Sequence, residues 1–243
     1  MSAAGAGGTA GLFGRVAVDL VLAAGLALGT IVAASLAWQR LVPDASRLDA
    51  VVFALVASGA GLGIAAAVTL LRRPPSRRDV QAALGAAARA GFWGAVAATA
   101  CTTFLLTHVV LLGANALGLD ATPGNNPLLN ALVSEHTLLL ALFVIVVAPV
   151  VEETLFRRVV FGRLWAAGWP RTGAALSALA FAVAHEPWRP ELAQWLLLLA
   201  VYAGMGVLLC MLYRRTRSLL APIAAHGLHN ALTLLLALVA LPG

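Results

Sequence analysis

Glu152 and Glu153 are adjacent carboxylates at the end of an apolar run, Leu138 to Val151, and Arg157 follows four residues after the second of them. On insertion scales an acidic residue at the centre of a membrane helix costs roughly 2.5–3.5 kcal/mol, so a carboxylate kept there faces a bundle interior and has partners. Candidate partners are visible. His185 ends the apolar stretch Ala174 to Ala184, and His226 and Asn230 lie with His229 in another. A carboxylate, two imidazoles and an amide are the parts of a peptide hydrolase whose nucleophile is water. In that chemistry a desolvated Glu152 takes the proton of a water also held by His185. His226 and Asn230 then donate to the oxyanion of the tetrahedral intermediate, where losing one donor commonly costs about a hundred- to a thousandfold in rate.

Neighbouring residues on a helix point about 100° apart, so Glu152 and Glu153 cannot both face one cavity centre. Arg157 lies in the favourable order for a helical ion pair with Glu153, which leaves Glu152 as the reactive carboxylate. Phe181 and His185 share a face at the same four-residue spacing. Two other readings stay open. Glu152, His185 and His226 could be three zinc ligands with a fourth position open, although the helical His-Glu-x-x-His motif is absent. The Glu pair could also be an inner-boundary cluster that merely reaches water beside an arginine-rich face.

The elements that must position these groups are membrane helices. With 61% hydrophobic and 11% charged residues and a mean hydropathy of +0.93, the chain has too little polar surface to cover a soluble globule of its length. Runs near the ~20 residues that cross about 30 Å of hydrocarbon occur at Val16 to Trp38, Ala50 to Leu71, Gly91 to Gly113, Thr137 to about Arg157, Thr172 to His185, Leu192 to Tyr213 and Leu219 to Leu241. The expected fold is therefore all-α, a polytopic transmembrane bundle of about seven spans. Its organisation is a polar N-terminal tail over residues 1–15, three spans over 16–113, and a core over 137–241 that carries the polar residues. Val16 to Trp38 is too long for a signal-peptide core and is expected to be retained. Gly25 with Gly29, and Gly59 with Gly63, predict close packing of the first two spans.

All basic residues are arginine, so the high pI does not argue for nucleic acid. Their positions argue for orientation. Arg72, Arg73, Arg77, Arg78 and Arg89, then Arg157, Arg158, Arg163 and Arg171, then Arg214, Arg215 and Arg217 mark alternate connections as cytoplasmic and put the N-terminus inside. The arginine-poor connections, with Asp44, Asp49, Asp120, Glu135, Glu186 and Glu191, are expected outside. Cys101 and Cys210 are expected to be buried small apolar residues without a redox role. Span four needs care. Ended at Arg157, it leaves Glu152 only about 8 Å inside the boundary, too shallow to meet His185, so the helix is expected to continue to about Arg163 with Arg157 buried against Glu153.

Three motifs in order, Glu-Glu-x-x-x-Arg (Glu152, Glu153, Arg157), Phe-x-x-x-His (Phe181, His185) and His-x-x-x-Asn (His226, Asn230), resemble those of the CPBP family, the CAAX proteases and bacteriocin-processing enzymes. The resemblance covers roughly Ala141 to Leu234 and leaves the first three spans unmatched. It implies a glutamate-type intramembrane endopeptidase that needs no cofactor. The residues matching Glu152 and His185 would activate water, those matching His226 and Asn230 would form the oxyanion site, and Glu153, Arg157 and Phe181 would support them. It also implies a peptide or protein substrate, and the composition, rich in Ala and Gly with Arg as its basic residue, points to a bacterial inner membrane. The rival functions are a zinc-dependent membrane protease and a non-catalytic protein of bacteriocin immunity or regulation.

Overall fold

A chain crossing hydrocarbon must satisfy its backbone N–H and C=O groups internally, and within one segment only a helix does so. The computed structural model describes residues 3–44, 46–72, 74–119, 121–123, 136–186 and 189–239, and among these it is helical with no strand. The helices are α1 (Ala3–Leu41), α2 (Arg47–Arg72), α3 (Arg77–Ala87), α4 (Phe92–Ala116), α5 (Thr137–Ala166), α6 (Pro170–His185), α7 (Leu192–Thr216) and α8 (Leu220–Val239). Asp120 and residues 124–135, which include Glu135, lie outside the described residues.

Six helices, α1, α2, α4, α5, α7 and α8, are long and apolar enough to cross a bilayer. Their outward faces carry side chains such as Val21, Leu28, Leu105, Val109, Leu112 and Met211, all exposed. That surface suits lipid rather than water. The seventh expected span is α6, whose 16 residues reach only about 24 Å at 1.5 Å per residue. It stops where Glu186 leaves helical geometry at φ −130° and ψ 84°, consistent with the bias against helical geometry in a residue followed by proline, here Pro187 in the sequence. His185 therefore occupies the last turn of a short helix, within the depth of the bundle.

Helix α1 begins at Ala3, so most of the segment expected as a polar tail is continuous with the first span. Helices α1 and α2 pack together, but not through the expected glycines. A Cβ added at Gly25, Gly29 or Gly63 would meet no atom within 4 Å, whereas one at Gly61 would lie 2.7 Å from the Ala27 carbonyl oxygen and one at Gly59 would lie 3.0 Å from the Phe143 ring. The contact between α1 and α2 falls between the glycines of each expected pair, where the backbones approach most closely. Asp19, which the sequence did not single out, is buried in α1. It pairs with Arg72 at 3.4 Å and also with Arg163, so α1, α2 and α5 meet around one carboxylate.

The other half of the molecule positions the site. Phe92, Val96 and Ala100 of α4, Phe156 of α5, Phe181 of α6, Met205 and Leu209 of α7, and Ala221 and Ala225 of α8 form one buried cluster. Cys210 is buried as expected, but Cys101 is exposed on α4.

Candidate active site

Helix α5 carries both glutamates and is not a regular α-helix. Two segments, Phe143–Val147 and Thr154–Phe161, are π-helical and flank the short α-helical turn Ala148–Glu153. Proline supplies a local cause. In the first segment Ala148 N–H bonds the Phe143 carbonyl five residues back. The next bond in that register would run from residue 149 to the Val144 carbonyl, but Pro149 has no N–H to give. Asn230 fills the vacancy, its Nδ2 donating to the Val144 oxygen at 2.6 Å. The second segment is tied in a similar way, with the buried Ser177 hydroxyl of α6 donating to the Phe156 carbonyl at 2.8 Å. Such wide turns recur at functional sites because they aim side chains that a regular helix would stack elsewhere.

Helix α5 continues past Arg157 to Ala166, the extension that depth required. Glu153 and Arg157 are both wholly buried and pair at 3.0 Å. Arg157 also lies over the Phe181 ring, its Cζ 4.4 Å from the centroid. Phe181 in turn packs against His185, with ring centroids 4.1 Å apart, and meets His226 edge-on at 5.7 Å. This phenyl ring is the common floor under the cation and both imidazoles.

Glu152 points the other way, as its 100° offset from Glu153 requires. Its Oε2 lies 3.4 Å from His185 Nε2 and 3.9 Å from His226 Nε2. The His185 ring is oriented by its Nδ1, 2.9 Å from the Phe181 carbonyl. A carbonyl can only accept, so Nδ1 carries a proton and Nε2 is the nitrogen turned to Glu152. His226 is oriented by Glu153, whose Oε1 accepts from Nδ1 at 2.9 Å. Glu153 thus serves two partners, Arg157 and His226. Spacing within one helix revealed the first and could not reveal the second, which is 73 residues away. Glu186, part of a connection expected outside, is buried and paired with Arg189.

Glu152, Phe181, His185, His226, His229 and Asn230 line a cavity of about 410 Å³. Its remaining walls are mostly apolar, among them Leu111, Phe143, Val144, Leu234 and Ala237. Among the described residues no group of three His, Cys, Asp or Glu side chains is arranged to hold a metal ion.

Gly227, beside His226, permits this convergence. A Cβ there would sit 2.5 Å from the Ile145 carbonyl oxygen, so α8 and the first π segment touch backbone to backbone. Gly227→Ala is expected to force the helices apart at a cost of about 1–3 kcal/mol. The shift also moves His226 and Asn230 relative to Glu152, and misplacement by about 1 Å can cost a hundredfold in rate. Gly25→Ala, which meets no atom within 4 Å, is the control. Melting temperature in detergent should fall for the first and hold for the second.

Residues 134–232 match the model of the Rce1-like family, described as type II CAAX prenyl endopeptidase Rce1-like. The chain is 33% identical over 103 residues to the membrane-embedded CAAX protease MroQ of Staphylococcus aureus, covering 40% of this chain and 38% of that protein. It is 28% identical over 93 residues to the putative membrane peptidase YdiL of Bacillus subtilis, covering 38% of this chain and 35% of that protein. The match thus spans well under half the length of either relative. The resemblance drawn from the three motifs holds over this stretch, which contains every residue of those motifs. No solved structure matches the chain.

Proposed function

We propose that this protein is a membrane-embedded endopeptidase, which hydrolyses a peptide bond of a membrane-associated peptide or protein with a water activated by Glu152 and His185. The observation that carries this reading is the approach of the Glu152 carboxylate to two imidazole nitrogens, at 3.4 Å and 3.9 Å, on the wall of a cavity. Such a cavity is of a size that holds a short peptide segment. The matched family and both relatives support a membrane protease. Their bacterial sources support the cell membrane as its location.

Catalysis then proceeds in balanced steps. Glu152 takes one proton of the water, His185 Nε2 accepts a hydrogen bond from it, and the hydroxide oxygen attacks the carbonyl carbon. The oxyanion is held by Nε2–H of His226 and by the second amide proton of Asn230, whose first is spent on Val144. In this role the His226 ring carries both protons, and the Glu153 carboxylate facing Nδ1 balances the added charge. The C–N bond breaks as Glu152 returns its proton to the leaving amine.

Membranes from cells making the unaltered protein or Glu152→Ala, compared by mass spectrometry of peptide termini, test the proposal. New termini should appear only with the unaltered protein and persist in a chelator. Termini lost in chelator and restored by zinc would overturn the glutamate mechanism in favour of the metal. A function that survives in Glu152→Ala would overturn the enzyme itself and favour regulation or immunity.

A further inference from the structure

Helix α4 lies outside the stretch that matches the family, yet it carries a second Phe-x-x-x-His pair, Phe104 and His108. Its geometry duplicates that of Phe181 and His185. Ring centroids are 4.2 Å apart at 35° in one pair and 4.1 Å apart at 36° in the other, and each Nδ1 lies 2.9 Å from its own Phe carbonyl. By the same logic Nδ1 of His108 holds the proton and Nε2 presents a lone pair. His108 lines the same cavity as His185, but among the described residues the only acidic side chain lining that cavity is Glu152, which faces His185 and His226.

A second group lines the same cavity. Helices α4 and α8 run side by side, with Ala100 and Ala225 in one cluster and His229 Nδ1 3.2 Å from the Thr103 hydroxyl. Five residues further along α4 comes His108, four further along α8 comes Thr233, and both line the cavity. The Thr233 hydroxyl is buried without a hydrogen-bond partner among the described residues. By contrast, Thr30, Thr69, Thr99 and Thr154 each bond the carbonyl four residues back, the ordinary resting place of a hydroxyl in an apolar helix. A buried hydroxyl left open is costly unless something else occupies it.

We propose that His108 and Thr233 form a main-chain subsite that takes the N–H and C=O of one residue of an extended peptide. His108 Nε2 accepts the amide N–H, and the Thr233 hydroxyl donates to the C=O. An acceptor and a donor on neighbouring helices match the N–H and C=O that one residue of an extended chain presents on the same edge, so the subsite holds the chain without reading its sequence, while Leu111, Leu234 and Ala237 receive apolar side chains. This deepens the endopeptidase reading and rests on it for the purpose of binding, but the binding can be measured without cleavage.

The test uses the full chain in detergent, carrying Glu152→Gln so that nothing is cut. The probes are N-acetyl-Leu-Leu-Leu-amide and the esters in which each backbone N–H in turn is replaced by oxygen. One ester should bind about tenfold more weakly than the amide, the worth of a single hydrogen bond. His108→Phe, which keeps a ring against Phe104, should erase that difference. Thr233→Val should weaken amide binding severalfold while leaving the melting temperature without probe unchanged or higher, an outcome that a structural hydroxyl would not give. If the amide fails to outbind every ester when His108 is intact, or if His108→Phe keeps the preference, the subsite is overturned. Cleavage that depends on Glu152 would stand in either case.

Discussion

Glu152→Gln is expected to remove peptide cleavage almost completely while leaving the protein as stable as before. The amide has nearly the shape of the carboxylate but cannot take a proton from water, and a positioned general base contributes about 10²–10⁴-fold. Loss should exceed that of any substitution at the oxyanion donors, because without the base no nucleophile forms. Stability is spared because the Glu152 side chain is 15% exposed to the cavity and its Oε2 makes no hydrogen bond to the described residues. Single-turnover cleavage of a substrate found by the terminal-peptide comparison, beside a melting curve, reads both quantities. Residual cleavage within about tenfold of the unaltered rate would show that another group is the base.

Glu153→Gln should do the reverse, harming the fold first. Its carboxylate is wholly buried between Arg157, at 3.0 Å, and His226, at 2.9 Å, so neutralising it strands a buried guanidinium. Breaking such a pair from one side typically costs about 3–5 kcal/mol. The melting temperature in detergent should fall sharply, and activity at low temperature should fall too, because His226 loses the charge that orients it. Joint replacement of Glu153 and Arg157 by leucine should cost less than the sum of the single changes, since neither charge is then left alone. A protein that tolerates Glu153→Gln in both stability and rate would remove Glu153 from the supporting role.

The difference between these two carboxylates was legible in the sequence because it depends on one helix alone. The 100° offset separates Glu152 from Glu153, and the four-residue step joins Glu153 to Arg157 and Phe181 to His185. The long apolar helices were legible for the same local reason. What lay hidden depends on pairs far apart in the chain. Nothing in the spacing ties His226 to Glu153 or Asn230 to Val144, and the oxyanion role assigned to Asn230 did not foresee that one of its protons is committed to backbone. Nor did the sequence around Pro149 show that α5 takes the form of two widened segments. The burial of Glu186 and its pairing with Arg189 were likewise not to be read from an arginine-poor connection.

Those widened segments make α5 tolerant of a change in length at two places and intolerant of it between them. A π turn accommodates one residue more than an α-helix following the same path, and here the surplus is held by Asn230 and Ser177 from neighbouring helices. Deleting a single apolar residue between Phe143 and Val147 would let the helix heal into a regular one, with the residues on either side keeping their faces and Glu152 its station opposite His185. The α-helical turn Ala148–Glu153 has no such surplus. Deleting a single apolar residue there would turn everything on one side of the gap by about 100° relative to the other, and Glu152 could not face His185 while both ends of α5 kept their packing. Where a residue is lost from this helix matters more than which residue it is.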